Sequence, residues 1–166
     1  MFTTLVISLY FAIPLPCLAA EVDHPAPAFQ ATLFDGAKFT LANSTGKVVI
    51  IHFWASWCEV CQHEMSTLEK FFKAHRAEGV RIIAIDMDAA SDMPKAREIM
   101  KHFSFDAAFA KDSDYKAYGR IWRLPLNFLI DQKGVLRKDG WILPEGLTEA
   151  GLDKAILPLL KVNENH

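Results

Sequence analysis

Apolar residues change their period along the chain, and the changes mark out the elements. Lys47 to Ala55 (KVVIIHFWA) is almost continuously apolar and β-branched at its start, the pattern of a central strand covered on both faces. From Cys58 onward the period lengthens. Cys61, Met65, Leu68, Phe71 and Phe72 recur at steps of three and four, with Glu69 and Lys73 paired four apart on the other side. This predicts an amphipathic helix that ends near His75. Val80 to Asp86 (VRIIAID) reads as a second buried strand. The stripe Met93, Ala96, Ile99, Met100 and Phe103 reads as a second helix, its start marked by Asp92 and Pro94.

The remaining segments are shorter. Residues 21 to 28 (EVDHPAPA) are Pro-rich and polar, an extended lead-in, and Phe29 to Leu41 carries Asp35-Gly36 between partly apolar runs, a hairpin signal. Short helical turns are expected around Ser113 to Trp122. Leu126 to Asp131 (LNFLID) and Val135 to Ile142, joined across Gln132-Lys133-Gly134, predict an antiparallel hairpin, and a last helix runs from about Thr148 to Leu160. This order predicts an α/β fold, a mixed sheet with helices on both faces.

The first twenty residues follow different rules. MFTTLVISLYFAIPLPCLAA has no charged side chain, so every charge falls in residues 21 to 166. The apolar run from Leu5 to Leu15, the breaks at Pro14 and Pro16 and the small Ala19 and Ala20 match the apolar region and cleavage site of a signal peptide. The run is short and broken for a membrane span, which needs roughly 20 apolar residues. Residues 1 to 20 are therefore expected to be an export signal, with an uncleaved anchor as the other reading, and residues 21 to 166 one domain. The usual basic residue near the start is missing. Cys17 lacks the small preceding residue that lipoprotein processing wants, since Pro14-Leu15-Pro16 stands there.

Charge and cysteine content narrow the function. With 18 Lys+Arg against 20 Asp+Glu the formal net charge is -2, which lacks the electrostatic footprint of a nucleic-acid binder. Of three cysteines, loss of the leader leaves Cys58 and Cys61, spaced C-x-x-C. Two cysteines this close cannot staple distant parts of a fold, and the loop they close is too small to stabilise much by chain entropy. At the start of a helix, unpaired backbone N–H groups and the helix dipole favour a Cys58 thiolate, and Cys61 lies one turn later within bridging reach. A structural disulfide and half of a metal site are the competing readings. A zinc site needs four ligands, and the nearby His63 and His75 occupy other faces of the helix.

The run FWASWCEVC, the downstream LPLNFLID and the lead-in HPAPAFQATLFDGAKFTL together resemble the thioredoxin superfamily, specifically the exported thiol-disulfide oxidoreductases of the TlpA/ResA type. The resemblance spans about Pro25 to Leu160 and includes the segment around residues 90 to 112, which is similar to that group's central insertion. It implies a thioredoxin-like fold, a central mixed sheet flanked by helices, with an N-terminal hairpin. It implies that Cys58 attacks a partner's disulfide and that Cys61 resolves the mixed disulfide. Pro125 matches the family's cis-proline, and the Leu124 backbone would then pair with a substrate strand. Trp57 precedes the nucleophile and would contact the substrate.

Two internal groups could move protons. Glu64 stands three residues after Cys61, where ResA-type members carry a functional glutamate, and it falls on the edge of the apolar stripe; burial there would raise its pKa and suit it to exchange a proton with Cys61. A solvated first-turn glutamate is the alternative. His52, six residues before Cys58, occupies the place of the buried acid of thioredoxins, and is either a proton relay or a hydrogen-bonded core histidine. Glu59, beside Cys58, opposes thiolate formation, which predicts a reducing dithiol rather than a potent oxidant. Val60 replaces the proline of many relatives.

The resemblance implies no cofactor and no resident metal. It implies a monomer in the periplasm or otherwise exported, with protein thiols and disulfides as substrates, a membrane electron donor, and a reductase role toward apocytochrome c or other periplasmic disulfides. Dedicated cytochrome c maturation members carry an acidic residue after the cis-proline, where this chain has Leu126. A Cu(I) metallochaperone or a non-catalytic binding module on the same fold is the alternative, since soft thiolates select Cu(I). A peroxiredoxin-type peroxidase fits less well, because it does not place its cysteine in a C-x-x-C at a helix start.

Overall fold

A computed structural model describes residues 20–141 and 147–160. The expected leader, with Cys17, lies outside the described residues apart from Ala20, as does Ile142 at the end of the last expected strand. The chain runs through strands β1 (Gln30–Leu33), β2 (Lys38–Thr40) and β3 (Val48–Trp54), helix α1 (Glu59–His75), strand β4 (Val80–Asp86) and helix α2 (Met93–Met100). Strands β5 (Asp106–Asp114), β6 (Leu126–Ile130) and β7 (Leu136–Trp141) and helix α3 (Glu149–Leu160) follow. The strands form one mixed sheet in the order β2-β1-β5-β4-β3-β6-β7.

β3 lies inside this sheet and every one of its residues is buried. It runs parallel to β4 and antiparallel to β6, which places Asn127 opposite His52 and Leu126 opposite Phe53. Successive β3 side chains point to opposite faces. Val48, Ile50 and Trp54 join one apolar cluster with Cys61, Met65, Leu68 and Phe71 of α1, Ala96 and Met100 of α2, and Leu152 and Ile156 of α3. Val49, Ile51 and Phe53 join the other, with Phe29, Tyr118 and Phe128. The two faces are thus covered unequally. All three α-helices pack on the first; the second is closed by the lead-in and by a single 3-10 turn at Lys116–Tyr118, whose Tyr118 hydroxyl donates to the Pro27 carbonyl at 2.8 Å. Each fully buried Met65 or Leu68 contributes roughly 1.5–3 kcal/mol by leaving water.

Three sequence expectations change. Helices were expected on both faces of the sheet, and all three α-helices pack on one. β5 was not foreseen: its residues fell in the expected insertion and the helical turns after it, and only the turn at Lys116–Tyr118 is helical. Within β5 only Ala107, Ala108 and Phe109 are buried, and four of its last five residues are charged or hydroxylic, so no period of two is visible. Pairing with β4 on one side and β1 on the other imposes the strand. Glu69, expected on the outer face of α1, is buried. Its carboxylate accepts from the backbone N–H and hydroxyl of Ser104 at 2.9 and 2.8 Å and from Lys73 at 2.8 Å, tying α1 to the segment ahead of β5.

The sheet ends on one side in the three-residue β2, with Lys38 exposed, and on the other in β7, with Lys138 and Asp139 exposed.

Candidate active site

Strand β3 leaves the sheet at Trp54, turns through Ala55, Ser56 and Trp57, and enters α1. Cys58 is the N-cap of that helix. Its backbone is extended, and its sulfur accepts a hydrogen bond from the Cys61 N–H at 3.2 Å. Cys58 and Cys61 form a disulfide, with their Cα atoms 5.3 Å apart. An orphan helix N–H aimed at sulfur is the environment that stabilises a thiolate once the bond opens. Both cysteines are buried, whereas the flanking Trp57 and Val60 are 64% and 60% exposed. The disulfide therefore sits at the edge of the surface, next in sequence to two apolar side chains that face solvent.

The turn itself is clasped. The Ser56 N–H donates to both oxygens of Asp88, just beyond β4, and the Ser56 carbonyl accepts from the Gln62 side chain at 2.9 Å. Asp86 pairs with Trp54 across β3 and β4 and is 1% exposed. Burial, reinforced by the neighbouring Asp88 carboxylate, pushes the Asp86 carboxyl up to about 7. Asp86, Asp88 and Gln62 were not singled out from the sequence. Two acids at the carboxyl end of an otherwise apolar strand were the available signal.

Leu124-Pro125 is a cis peptide bond. It leads into β6, whose first residue pairs with Phe53 near the end of β3, so the same end of the sheet carries the cis-proline and the turn to Cys58. Trp122, three residues before Pro125, is 70% exposed, with the Arg123 guanidinium over its ring at 4.6 Å.

Glu64 is 3% exposed. One carboxylate oxygen accepts from the Leu147 N–H and the other from the Asn127 side-chain amide, both at 3.2 Å. Burial raises its pKa above the usual glutamate value, and the two hydrogen bonds and His63 oppose the rise. Behind Asn127 stands His52, fully buried, its Nδ1 2.7 Å from the Asn127 amide oxygen. Burial lowers His52 to about 4, against the Asn127 hydrogen bond. His52, Asn127 and Glu64 thus form one buried polar chain across β3, β6 and α1. Asn127 was not anticipated; its link to His52 depends on strand register, which the sequence does not state. No group of three or more metal-ligating side chains occurs among the described residues.

The pattern of the AhpC/TSA family matches residues 22–139. The chain belongs to that family. Among curated relatives, thiol-disulfide oxidoreductase ResA of Bacillus thuringiensis subsp. konkukian is 35% identical over 115 residues, which cover 69% of this chain and 66% of the relative. The matched region thus spans just under two thirds of that relative. Sporulation thiol-disulfide oxidoreductase A of Bacillus subtilis is 27% identical over 131 residues, covering 72% of this chain and 76% of the relative. A DsbE-type thiol:disulfide interchange protein of Chlorobium tepidum superposes with a TM-score of 0.71 at 26% identity, covering 86% of this chain and 99% of that one. The α/β architecture expected from the sequence, a mixed sheet flanked by helices, is the thioredoxin-like fold of these structures.

Proposed function

We propose that the protein is an exported thiol-disulfide oxidoreductase that reduces disulfides in partner proteins. The observation that carries this reading is the Cys58–Cys61 disulfide at the N-terminus of α1 with the buried carboxylate of Glu64 one turn further on. The names of the relatives support the same chemistry. In the reduced protein the Cys58 thiolate attacks one sulfur of a partner disulfide. A mixed disulfide forms, and the partner's other sulfur leaves as a thiolate that takes up a proton. Cys61 then gives its proton to the Glu64 carboxylate and attacks Cys58. The Cys58–Cys61 disulfide forms, the partner's second thiolate departs, and two electrons have passed to the partner. A protein donor at the membrane, itself a dithiol, restores the pair.

Glu64 suits the proton transfer because burial brings its pKa toward that of a thiol. His52, held near 4, stays neutral at neutral pH. Its contribution to the reaction passes through Asn127. Leu124 and Pro125 offer backbone to an extended substrate segment, and the exposed Trp57 ring supplies apolar contact. Residues 1–20 act as the export signal. The test is the reduction potential, measured by equilibration in dithiothreitol or glutathione buffers with alkylation of free thiols. A reversible two-electron transition below about -220 mV is expected of a reductase, and a value near about -120 mV marks an oxidant and overturns the reductase role. Absence of a reversible transition, with copper copurifying, overturns the oxidoreductase reading itself.

A further inference from the structure

The chain His52–Asn127–Glu64 has an ordering that its hydrogen bonds fix. An ionised carboxylate only accepts. Glu64 accepts at both oxygens, from the Leu147 N–H and from the Asn127 side chain, so Asn127 presents its NH2 group to Glu64 and its carbonyl oxygen to His52. That oxygen lies 2.7 Å from His52 Nδ1, which must therefore carry the hydrogen. His52 Nε2 is buried and has no hydrogen-bond partner among the described residues.

We propose that His52 and Asn127 are a positioning pair for Glu64, in which the Nδ1–H of neutral His52 locks the Asn127 amide so that its NH2 group always faces the carboxylate. This rests on the oxidoreductase reading, where Glu64 takes the proton of Cys61. The reason the pair is needed follows from what happens without it. If a protonated Glu64 donated to Asn127, the amide would have to turn its oxygen toward Glu64. Its NH2 group would then face His52 Nδ1, which would have to give up its hydrogen to Nε2. A buried N–H with no acceptor results, and a buried unsatisfied donor is costly. The orientation seen leaves Nε2 as an unpaired acceptor instead, the less costly of the two orphans.

The pair therefore favours the ionised form of Glu64 and opposes the effect of its burial. Burial alone moves a carboxyl toward its protonated form, which cannot accept the thiol proton, while one left in water is a weaker base. The other groups facing Glu64 do not substitute for the pair. His63, on the same helix, adds a weaker attraction, Leu147 contributes a backbone N–H alone, and Cys61 is the reacting group itself.

The test is a carboxyl 13C titration of Glu64 in the oxidised protein, with His52 tautomers read from imidazole 15N shifts. His52 is expected as the Nδ1–H form in the unmodified protein. Asn127→Leu and His52→Phe should each raise the Glu64 midpoint by about one pH unit. The double variant should shift little more than either alone, because the two act through one amide. An Nε2–H tautomer, a midpoint unmoved in a folded variant, or fully additive shifts overturns the proposal. Should a variant fail to fold, the tautomer of the unmodified protein still decides. Loss of thiol-disulfide exchange in the unmodified protein would overturn the oxidoreductase reading while leaving this titration interpretable.

Discussion

The backbone N–H of Ser56 points between the two carboxylate oxygens of Asp88, 3.1 and 3.0 Å away. Ser56 stands two residues before Cys58 and is buried, so this bond anchors the turn that leads into the disulfide. Asp88→Ala leaves the amide without its acceptor and should cost about 1–3 kcal/mol. Asp88→Asn, which keeps one oxygen, should cost less. Urea unfolding at neutral pH measures both, and equal losses would mean that the Ser56 N–H is not what Asp88 holds.

Asp86 gives the stability a basic-side dependence. Its pKa rises in the folded state to about 7 from the ordinary 3.8. The folded protein thus keeps a proton that the unfolded chain loses, and the stability associated with it is whole below 3.8 and gone once the pH has passed 7. Asp86→Asn removes this loss. Its stability relative to the parent should rise between pH 4 and pH 7 and level off above, with a gain of ~1–3 kcal/mol at pH 8. A gain that does not vary with pH would sink the assignment.

His52 acts at the acid end. Its folded pKa near 4 lies below the ordinary 6.5, so the unfolded chain binds a proton first. The stability is present above 6.5 and is lost as the pH falls through 4, by up to about 3 kcal/mol. In His52→Phe the decline over that interval should be shallower than in the parent. Denaturant midpoints compared at pH 7 and pH 4.5 provide the measurement.

The order of attack separates the two cysteines. Cys61→Ser should accumulate a covalent complex with a disulfide-bonded partner, because Cys58 can attack but nothing resolves the product. Cys58→Ser should accumulate none. Non-reducing electrophoresis after incubation of each reduced variant with an oxidised protein substrate distinguishes them, and the opposite pattern would make Cys61 the nucleophile.

What the sequence shows of this molecule depends on how local the cause is. β3 and α1 are written in their own apolar periods, and Cys58 as a helix start follows from the change of period between them. β5 is not, because its alanines and acids acquire their state from β4 and β1 on either side. Glu69 forms the i,i+4 pair that the helix predicts, yet it is buried because Ser104, 35 residues away, bonds its carboxylate. The active site divides the same way. The C-x-x-C pair and Glu64 stand at fixed spacings on one helix and can be picked out by counting. Asn127 meets His52 across a separation of 75 residues, and Asp88 meets Ser56 across 32; only the register of the sheet brings these together.

The ends of the sheet bear on how such a protein can handle other polypeptides. A protein that binds extended chains runs the risk of binding copies of itself, since an open strand edge is a template for further pairing. Here one border is three residues long with Lys38 upon it, and the other sets out Lys138 and Asp139. Short length on one side, and on the other the lead-in bonded to the Leu136 backbone with the exposed charges of Lys138 and Asp139 beyond it, discourage growth of the sheet in either direction. On the proposed oxidoreductase reading, main-chain recognition falls to the loop at Leu124-Pro125, so that contact with a foreign chain would lead to the disulfide and not to aggregation.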